Sequence, residues 1–497
     1  MPVLASKKTV AKSSKKILPS KIYDFYSSEI PQEDRPCISD LLHRWEMMAK
    51  PPLLGAKILF NCHLTLTTLF LIEAALRGGA ALVDFTATTD LIVHNKPRDF
   101  LKSIGINFYS NGEIPANKKN EFYDICFDCG AGLLNEVAPK IGVIELTHTD
   151  PSLYAGLNYP VVTVDNSRTK HLETKYGTGD GFVRALMLVE TTKAEAGCLP
   201  QLHQLYSYSA LLQEALKFSA KFSVSTIFTT SKIAAEYAQL AAQVEKDIIA
   251  GVKLFSEKRF LIFGYGKVGY GITRALMSAG VKPEEIYVVE VLPAACKRAR
   301  KNKHQGCLID NASKDAVSTA IKTIKQLLKK ERIYCVIAAT GVEGVISRYF
   351  TAKDFSNVPY LANMGTPDEF GADFADNMVL NNKKIFNFIL EYPTATRYFE
   401  AICTIYMEAG LELLTKPIFK LGLNNVTSGT DKTVLSFWKQ HNNSRKWAHE
   451  DFRVEQVKKL LSLTVAGNKD ASFDRENKRL FAKPYAIDTW AKELDFL

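Results

Sequence analysis

The 497-residue sequence lacks any run of about 18 uninterrupted apolar residues, the length that a membrane-spanning helix needs. No apolar core follows its lysine-rich first residues, which therefore do not match a secretory signal. Its nine cysteines show no paired spacing, and Cys126 and Cys129 form a lone C-x-x-C without a second pair. We therefore expect no membrane partner, no metal site, and free thiols in a cytoplasmic protein.

Positive charge exceeds negative charge, giving a formal net charge of +10. Part of the excess lies in the N-terminal tail and part in a run at Lys297, Arg298, Arg300, Lys301 and Lys303. Such a run is typical of a solvated helix face, although it could attract an anionic ligand. The sequence has no zinc finger, aromatic RNA-binding signature or helix-turn-helix pattern, so we do not expect a nucleic-acid partner.

Apolar strands alternate with helical segments in two series along the chain. The first series includes strands at 56–65, 81–87 and 123–128, with a helix at 68–80 between the first two. This alternation predicts an α/β fold with two doubly wound parallel-sheet domains, whose ligands bind at the carboxyl ends of the strands. In the first series those ends carry His63, Asp90, Asp128, Glu145 and Asp165.

The second series opens with the segment FLIFGYGKVGYGITRALMSAG, in which an apolar strand runs into Gly264, Gly266 and Gly269 and then into a helix. A second strand ends near Glu290, close to the roughly 20-residue spacing expected for the acid that binds the adenosine ribose. A structural glycine turn followed by an accidental acid is the alternative. The full strand–loop–helix–strand order favours a Rossmann domain that binds NAD rather than NADP, with Thr340 and Gly341 at the end of a later strand.

Several segments together resemble the S-adenosylhomocysteine hydrolase family, in that family's order and over most of residues 38–410. They are CHLTLTTLFLIEAALRGGA, VDNSRTKHLETKYGTGDG, GYGKVGYG, AATGVEGVI, LANMGTPDE and NFILEYPTA. The resemblance implies that bound NAD oxidises a ribose 3′-hydroxyl of the substrate. The C4′ proton then leaves, a thiol is eliminated, water adds, and the cofactor is restored. It also implies a homo-oligomer and a nucleoside-like small-molecule substrate.

The resemblance assigns roles to individual residues. Lys170 falls on the lysine near the 3′-hydroxyl, which would need a lowered pKa to take a proton. Asp128 falls on the carboxylate for C4′ proton transfer, and His63 lies near the leaving sulfur. The substrate-binding positions are Thr65, Thr68, Glu145 and Tyr392. The positions near the nicotinamide are Thr147, Thr149, Asn363 and Asn387.

Other positions depart from the family. Leu146 replaces the ribose-binding glutamate, Thr366 the gating histidine and Tyr392 a second substrate histidine, and Glu173 aligns with the family's Asp-Asn pair only if one residue is deleted. We therefore expect a divergent enzyme with weak or absent S-adenosylhomocysteine hydrolysis. A catalytically dead, NAD-binding regulatory relative and a single-pass dehydrogenase are the alternatives.

We expect a division of the chain in the order that the resemblance implies. The expected parts are a disordered basic tail (1–20), a substrate domain (21–255) with a helical insertion at about 188–250, a Rossmann NAD-binding domain (256–390), a helical return (391–440) and a C-terminal extension (441–497).

Overall fold

The computed structural model describes residues 18–147, 150–195, 255–442, 447–449 and 452. The chain divides into two compact units. The described part of the first unit runs to Gly177 and resumes at Glu391, and that of the second unit comprises residues 178–195, 255–390, 447–449 and 452. Three of the expected parts lie mostly outside the described residues: the tail at 1–20, the insertion at 188–250 and the extension at 441–497.

The first unit is built on a sheet of parallel strands. The strands are β1 (Lys57–Asn61), β2 (Leu82–Ala87), β3 (Phe108–Ser110), β4 (Ile125–Asp128), β5 (Gly142–Glu145), β6 (Pro160–Thr163) and β12 (Gly422–Asn425). They lie in the order β12-β6-β5-β4-β1-β2-β3, and β4 and β5 are buried along their whole length. This burial explains why their sequences are apolar without alternation.

Helices cover this sheet. They include residues 18–27 and the helices α1 (Pro36–Glu46), α2 (Leu69–Arg77), α3 (Asn95–Ser103), α8 (Thr396–Thr415) and α9 (Ser428–Asn442). Helix α8 approaches β4 closely because Gly410 has no side chain: a Cβ there would lie 2.5 Å from the Phe127 ring. Phe127 also packs edge-on against Tyr406 of α8, with ring centroids 5.0 Å apart. Each fully buried aromatic ring of this core contributes about 1.5–3 kcal/mol.

The second unit contains a separate parallel sheet. Its strands are β7 (Arg259–Phe263), β8 (Ile286–Glu290), β9 (Gln305–Leu308), β10 (Ile333–Ala338) and β11 (Tyr360–Asn363), and its helices include α4 (Thr178–Glu195), α5 (Lys267–Ser278), α6 (Pro293–Lys301) and α7 (Lys314–Lys330). The strand order is β11-β10-β7-β8-β9. Read from β9 to β11 and numbered within the unit, this is the doubly wound order 3-2-1-4-5. The order reverses direction between β7 and β10. The predicted α/β class with two parallel-sheet domains is confirmed.

The first strand is shorter than its sequence pattern indicates. The pattern predicts a strand over 56–65, but β1 ends at Asn61. The chain turns there because Thr65 and Thr68 form a capping box, in which each side chain bonds to the other's backbone, and a helical turn begins at Leu66. His63 and Thr65 therefore lie in the turn that follows β1. No helix among the described residues is long and apolar enough to span a membrane.

Candidate functional site

The glycine-rich loop after β7 leaves a space for a ligand. Gly264 has a φ of +93°, and a Cβ on it would lie 2.5 Å from the carbonyl oxygen of Ala339. A Cβ on Gly269 would lie 2.0 Å from the carbonyl oxygen of Gly264, so the third glycine lets helix and loop pack. A Cβ on Gly266 would meet no atom within 4 Å. The middle glycine therefore faces open space, as a loop that receives a pyrophosphate must.

Gly266 is also the N-cap residue of α5, and no side chain caps this end of the helix. The first N–H groups of a helix lack partners within it and carry the positive end of its dipole. Because β7 lies beside the point where the strand order reverses, this uncapped end stands at the sheet's expected ligand crevice. The arrangement suits an anionic ligand such as a pyrophosphate.

Glu290 lies at the end of β8, beside this loop. Its buried carboxylate accepts hydrogen bonds from the backbone N–H of Tyr265 at 2.7 Å, of Val291 at 2.7 Å and of Leu292 at 3.0 Å. The acid predicted to bind the ribose is thus in direct contact with the residue between the first two glycines. Val291 and Leu292 are 43% and 61% exposed and add apolar surface next to it.

A buried carboxylate that the sequence did not single out organises the end of β10. Glu369 accepts from the N–H of Thr340 at 2.8 Å, from the Thr340 hydroxyl at 2.6 Å and from the N–H of Gly341 at 2.9 Å. Burial raises the pKa of Glu369 above its ordinary value, although these bonds oppose the shift. The two predicted cofactor-binding residues therefore take their positions from Glu369.

Asn363, at the end of β11, organises the next loop. Its amide donates to the carbonyl oxygens of Lys383 at 2.6 Å and Pro367 at 2.8 Å. Lys383 closes a run of three left-handed residues that begins at Asn381, a conformation that asparagine tolerates but that is costly for lysine. Asn387 is buried in the helical turn Phe386–Ile389. Whether either asparagine contacts nicotinamide stays a prediction.

In the first unit, Asp128 and Glu145 are paired neighbours at the carboxyl ends of β4 and β5. Asp128 accepts from the Asn61 amide at 2.7 Å and from the N–H of Leu133 at 3.0 Å. Burial, and then the negative charge of Glu145, raises the pKa of Asp128 to about 8. Asp128 consequently holds a proton near neutral pH and can act as an acid.

Glu145 is fully buried, and its carboxylate accepts hydrogen bonds from the loop that follows β4. It accepts from the N–H of Gly130 at 3.2 Å, the N–H of Ala131 at 3.1 Å, the N–H of Thr147 at 2.7 Å and the Tyr154 hydroxyl at 3.1 Å. These contacts fix the turn beside Asp128. Thr149, predicted to lie near the nicotinamide, is outside the described residues.

Lys170 is 1% exposed and forms an ion pair with Glu173, one turn further along the chain. Glu173 belongs to a π-helical stretch, Leu172–Gly177, a form that recurs at functional sites. Burial lowers the pKa of Lys170, but the charges of Glu173 and Asp165 outweigh it and leave the pKa raised. This direction is opposite to the lowered pKa that a free lysine base would need.

His63 lies close enough to this cluster for the charge of Lys170 to act on it. Burial, and then the positive charge of Lys170, lowers the pKa of His63 to about 3. The Nδ1 atom of His63 accepts from the N–H of Ile92 at 2.9 Å, which places the proton of the neutral ring on Nε2. His63 can therefore donate a hydrogen bond to a ligand atom while remaining uncharged.

The remaining predicted substrate residues lie in two places. The hydroxyls of Thr65 and Thr68 are 3.1 Å apart, and Thr68 donates to the carbonyl oxygen of His63 at 2.8 Å, so both lie beside the histidine. The hydroxyl of Tyr392 donates to Glu29 at 3.1 Å. Among the described residues no group of three His, Cys, Asp or Glu side chains could hold a metal ion.

Comparisons with known proteins give little further information. No family model and no curated protein matches the sequence. The chain is similar to one component of dipicolinate synthase from Bacillus halodurans, at 10% identity over 82% of this chain and 99% of that one, with a TM-score of 0.29. It is similar to D-lactate dehydrogenase from Escherichia coli (10% identity, 74% and 99% covered, TM-score 0.34) and to the pyruvate reductase of Chlamydomonas reinhardtii (12%, 74% and 99%, 0.32). Scores this low support no conclusion about function, and the fold assignment rests on the strand order.

Proposed function

We propose that this protein binds NAD and oxidises a secondary hydroxyl of a small nucleoside-like or sugar-like molecule, as a divergent relative of the S-adenosylhomocysteine hydrolase family. When bound, NAD supplies a hydride acceptor and later returns the hydride, so that it is recycled in each turnover. The observation that carries the proposal is the open space at Gly266, bordered by the uncapped end of α5 and by Glu290.

The residues of the second unit fit a dinucleotide. The N–H groups at the start of α5 would bind the pyrophosphate. Glu290, whose carboxylate has room for a further bond beside its three backbone partners, would accept from a ribose hydroxyl. The exposed side chains of Val291 and Leu292 offer an apolar surface for the adenine ring. Thr340, held by Glu369, would line the same crevice.

The residues of the first unit fit the handling of a substrate hydroxyl. Lys170, kept protonated by Glu173, would bind the substrate oxygen and stabilise negative charge on it. The carboxylate of Glu173 is then the group that can hold the hydroxyl proton. Asp128 would take the proton from the carbon next to the oxidised centre in its ionised form, the minor form at neutral pH, and would return that proton to the carbon later in the turnover. His63 would donate from Nε2 to the leaving atom.

One observation favours a second candidate, a catalytically dead relative that binds NAD and regulates a partner. The ion pair with Glu173 deprives Lys170 of the free base form, and the Glu145 carboxylate is already bonded to backbone N–H groups. The released cofactor separates the two candidates. The purified full chain is denatured and NAD⁺ and NADH are assayed: a partly reduced, co-purified cofactor supports internal recycling, whereas an absent cofactor supports a dissociable or regulatory ligand.

Substitution of Lys170 tests the assignment within the first unit. Lys170→Ala should still bind NAD⁺ but should lose reduction of the bound cofactor by nucleosides, with Lys140→Ala, an exposed lysine of the same unit, as the control. Reduction by Lys170→Ala at the wild-type rate with an active nucleoside would show that the lysine is not involved.

Ordinary S-adenosylhomocysteine hydrolysis should be very weak. Leu146 offers no acceptor where the family binds a ribose hydroxyl, and an unpaired buried polar group costs about 1–3 kcal/mol. Two losses of about 1.4 kcal/mol would reduce the rate roughly a hundredfold. Release of homocysteine at about one per second or faster would contradict this expectation.

We also propose a cytoplasmic homo-oligomer whose partner is a small molecule rather than a nucleic acid. The cysteines of the described residues are all free, in keeping with a reducing compartment. The oligomer follows only from the family resemblance. Light scattering of the full chain measures it directly, and a monomeric mass at micromolar concentration would contradict it.

A further inference from the structure

Arg298 of α6 contacts Tyr265 in the glycine-rich loop, the same residue that bonds to Glu290, the acid predicted to bind the adenosine ribose. Its Nη2 atom donates to the carbonyl oxygen of Tyr265 at 3.0 Å. The N–H of the same residue donates to Glu290 at 2.7 Å. A guanidinium and a carboxylate thus hold the two ends of the backbone of Tyr265, the residue between Gly264 and Gly266. Arg298 is itself exposed, and this bond uses one of its five N–H donors.

The charge around Arg298 is positive. Residues 291–303 contain no acid, and four further exposed cations share this segment: Lys297, Arg300, Lys301 and Lys303. The carboxylate of Glu290, which would repel a second anion, accepts three backbone N–H bonds that offset its charge. Repulsion of an added phosphate by Glu290 is therefore countered on both sides, by backbone donors and by the cations of α6.

We propose that Arg298 forms a phosphate subsite at the ribose 2′ position, so that the chain binds dinucleotides with a 2′-phosphate as well as those without one. The inference rests on the proposed dinucleotide function and revises the preference for NAD that Glu290 alone predicts. An arginine near the ribose acid can accept a 2′-phosphate because its planar fork matches two phosphate oxygens. The donors of Arg298 that do not bond Tyr265 supply that fork.

Calorimetry on the full chain, freed of any co-purified nucleotide, tests the subsite with NAD⁺ and NADP⁺. Wild type should bind NADP⁺ with a Kd within about tenfold of that for NAD⁺. Arg298→Gln should weaken NADP⁺ binding by about tenfold or more and NAD⁺ binding by less than about threefold. Lys301→Gln, an exposed cation of the same helix, is the matched control and should leave the ratio within about twofold.

Three outcomes would overturn the subsite. Wild type that binds NAD⁺ but rejects NADP⁺ would contradict it directly. Equal weakening of both ligands in Arg298→Gln would assign the arginine to the shared pyrophosphate. If Arg298→Gln and Lys301→Gln lowered the affinity for NADP⁺ relative to NAD⁺ by the same factor, the effect would come from the overall positive charge of α6 rather than from a subsite at Arg298. Wild type that binds neither dinucleotide would instead defeat the proposed function, and the subsite with it. Thermal melts of both variants establish that they fold.

Discussion

Asp431 in α9 fixes the backbone of Thr169, the residue before Lys170. Its carboxylate accepts from the N–H of Thr169 at 2.9 Å and from the Thr169 hydroxyl at 2.7 Å, across 262 residues of sequence. It also accepts from the N–H of Arg168 at 2.8 Å. Lys170 therefore takes its place from a helix that lies far along the chain.

Substitution of Asp431 by alanine should loosen this loop. The loss leaves two buried or part-buried backbone donors without their acceptor, at about 1–3 kcal/mol each. Hydrogen exchange of a peptide over residues 165–170 should accelerate, and cofactor reduction by substrate should fall while NAD⁺ affinity is unchanged. Lys432→Ala, the exposed neighbour on α9, is the control. Unaltered exchange in Asp431→Ala would show that the loop is held by other contacts.

Two glycine substitutions should separate binding from folding. Gly266→Ala places a methyl group in open space, so the fold should persist while dinucleotide affinity falls by about tenfold or more. Gly269→Ala drives a methyl group against the carbonyl oxygen of Gly264, so the protein itself should be destabilised by about 1–3 kcal/mol. Urea unfolding and calorimetry measure both effects. If Gly266→Ala bound the dinucleotide with wild-type affinity, the pyrophosphate would not bind at this loop.

The raised pKa of Asp128 should appear in the pH dependence of stability. The folded protein holds this proton up to a pH of about 8, whereas an ordinary aspartate releases it near 3.8. The contribution of Asp128 is therefore complete below about pH 4 and is lost as the pH rises to about 8, by at most about 1.4 kcal/mol per pH unit. Asp128→Asn should flatten the urea midpoint between about pH 5 and 8, and Asp90→Asn, an exposed acid, should not. Equal slopes in wild type and Asp128→Asn would refute the shift.

His63 should remain neutral well below the usual range of histidine. Its pKa of about 3 means that the unfolded chain binds the proton first, so its contribution to stability is present above pH 6.5 and is lost as the pH falls toward 3. In ¹⁵N histidine spectra at about pH 5, His63 should show a protonated Nε2 and an unprotonated Nδ1. His63→Gln supplies the assignment. A doubly protonated ring at that pH would contradict the placement beside Lys170.

The residues that could be predicted from the sequence are those whose role depends on a local sequence pattern. Gly264, Gly266 and Gly269 are fixed by a local strand–loop–helix pattern, and Glu290 by its distance from them. Asp431 and Glu369 could not be found in this way, because each acts on backbone groups that only the folded sheet brings near. A buried carboxylate among backbone donors leaves no periodic trace in a sequence.

The charge state of Lys170 was missed for a related reason. Burial alone lowers a lysine pKa, and the sequence supports that expectation. Glu173 was visible three residues away, but its carboxylate reaches Lys170 in the fold, where a π-helical stretch follows the lysine. The competing ion pair, rather than burial, then decides the direction of the shift.

The first unit is interrupted by the second, and this has a consequence for synthesis on the ribosome. Strand β12 pairs with β6 at the edge of the sheet, and both β12 and Asp431 follow residues 178–390, the main part of the second unit, in chain order. At a synthesis rate of about 5–20 residues per second, on the order of ten seconds or more therefore pass between the synthesis of β6 and that of β12, its outer neighbour in the sheet. Until then the outer edge of β6 lacks its partner strand, although residues 178–390 of the second unit have already been synthesised.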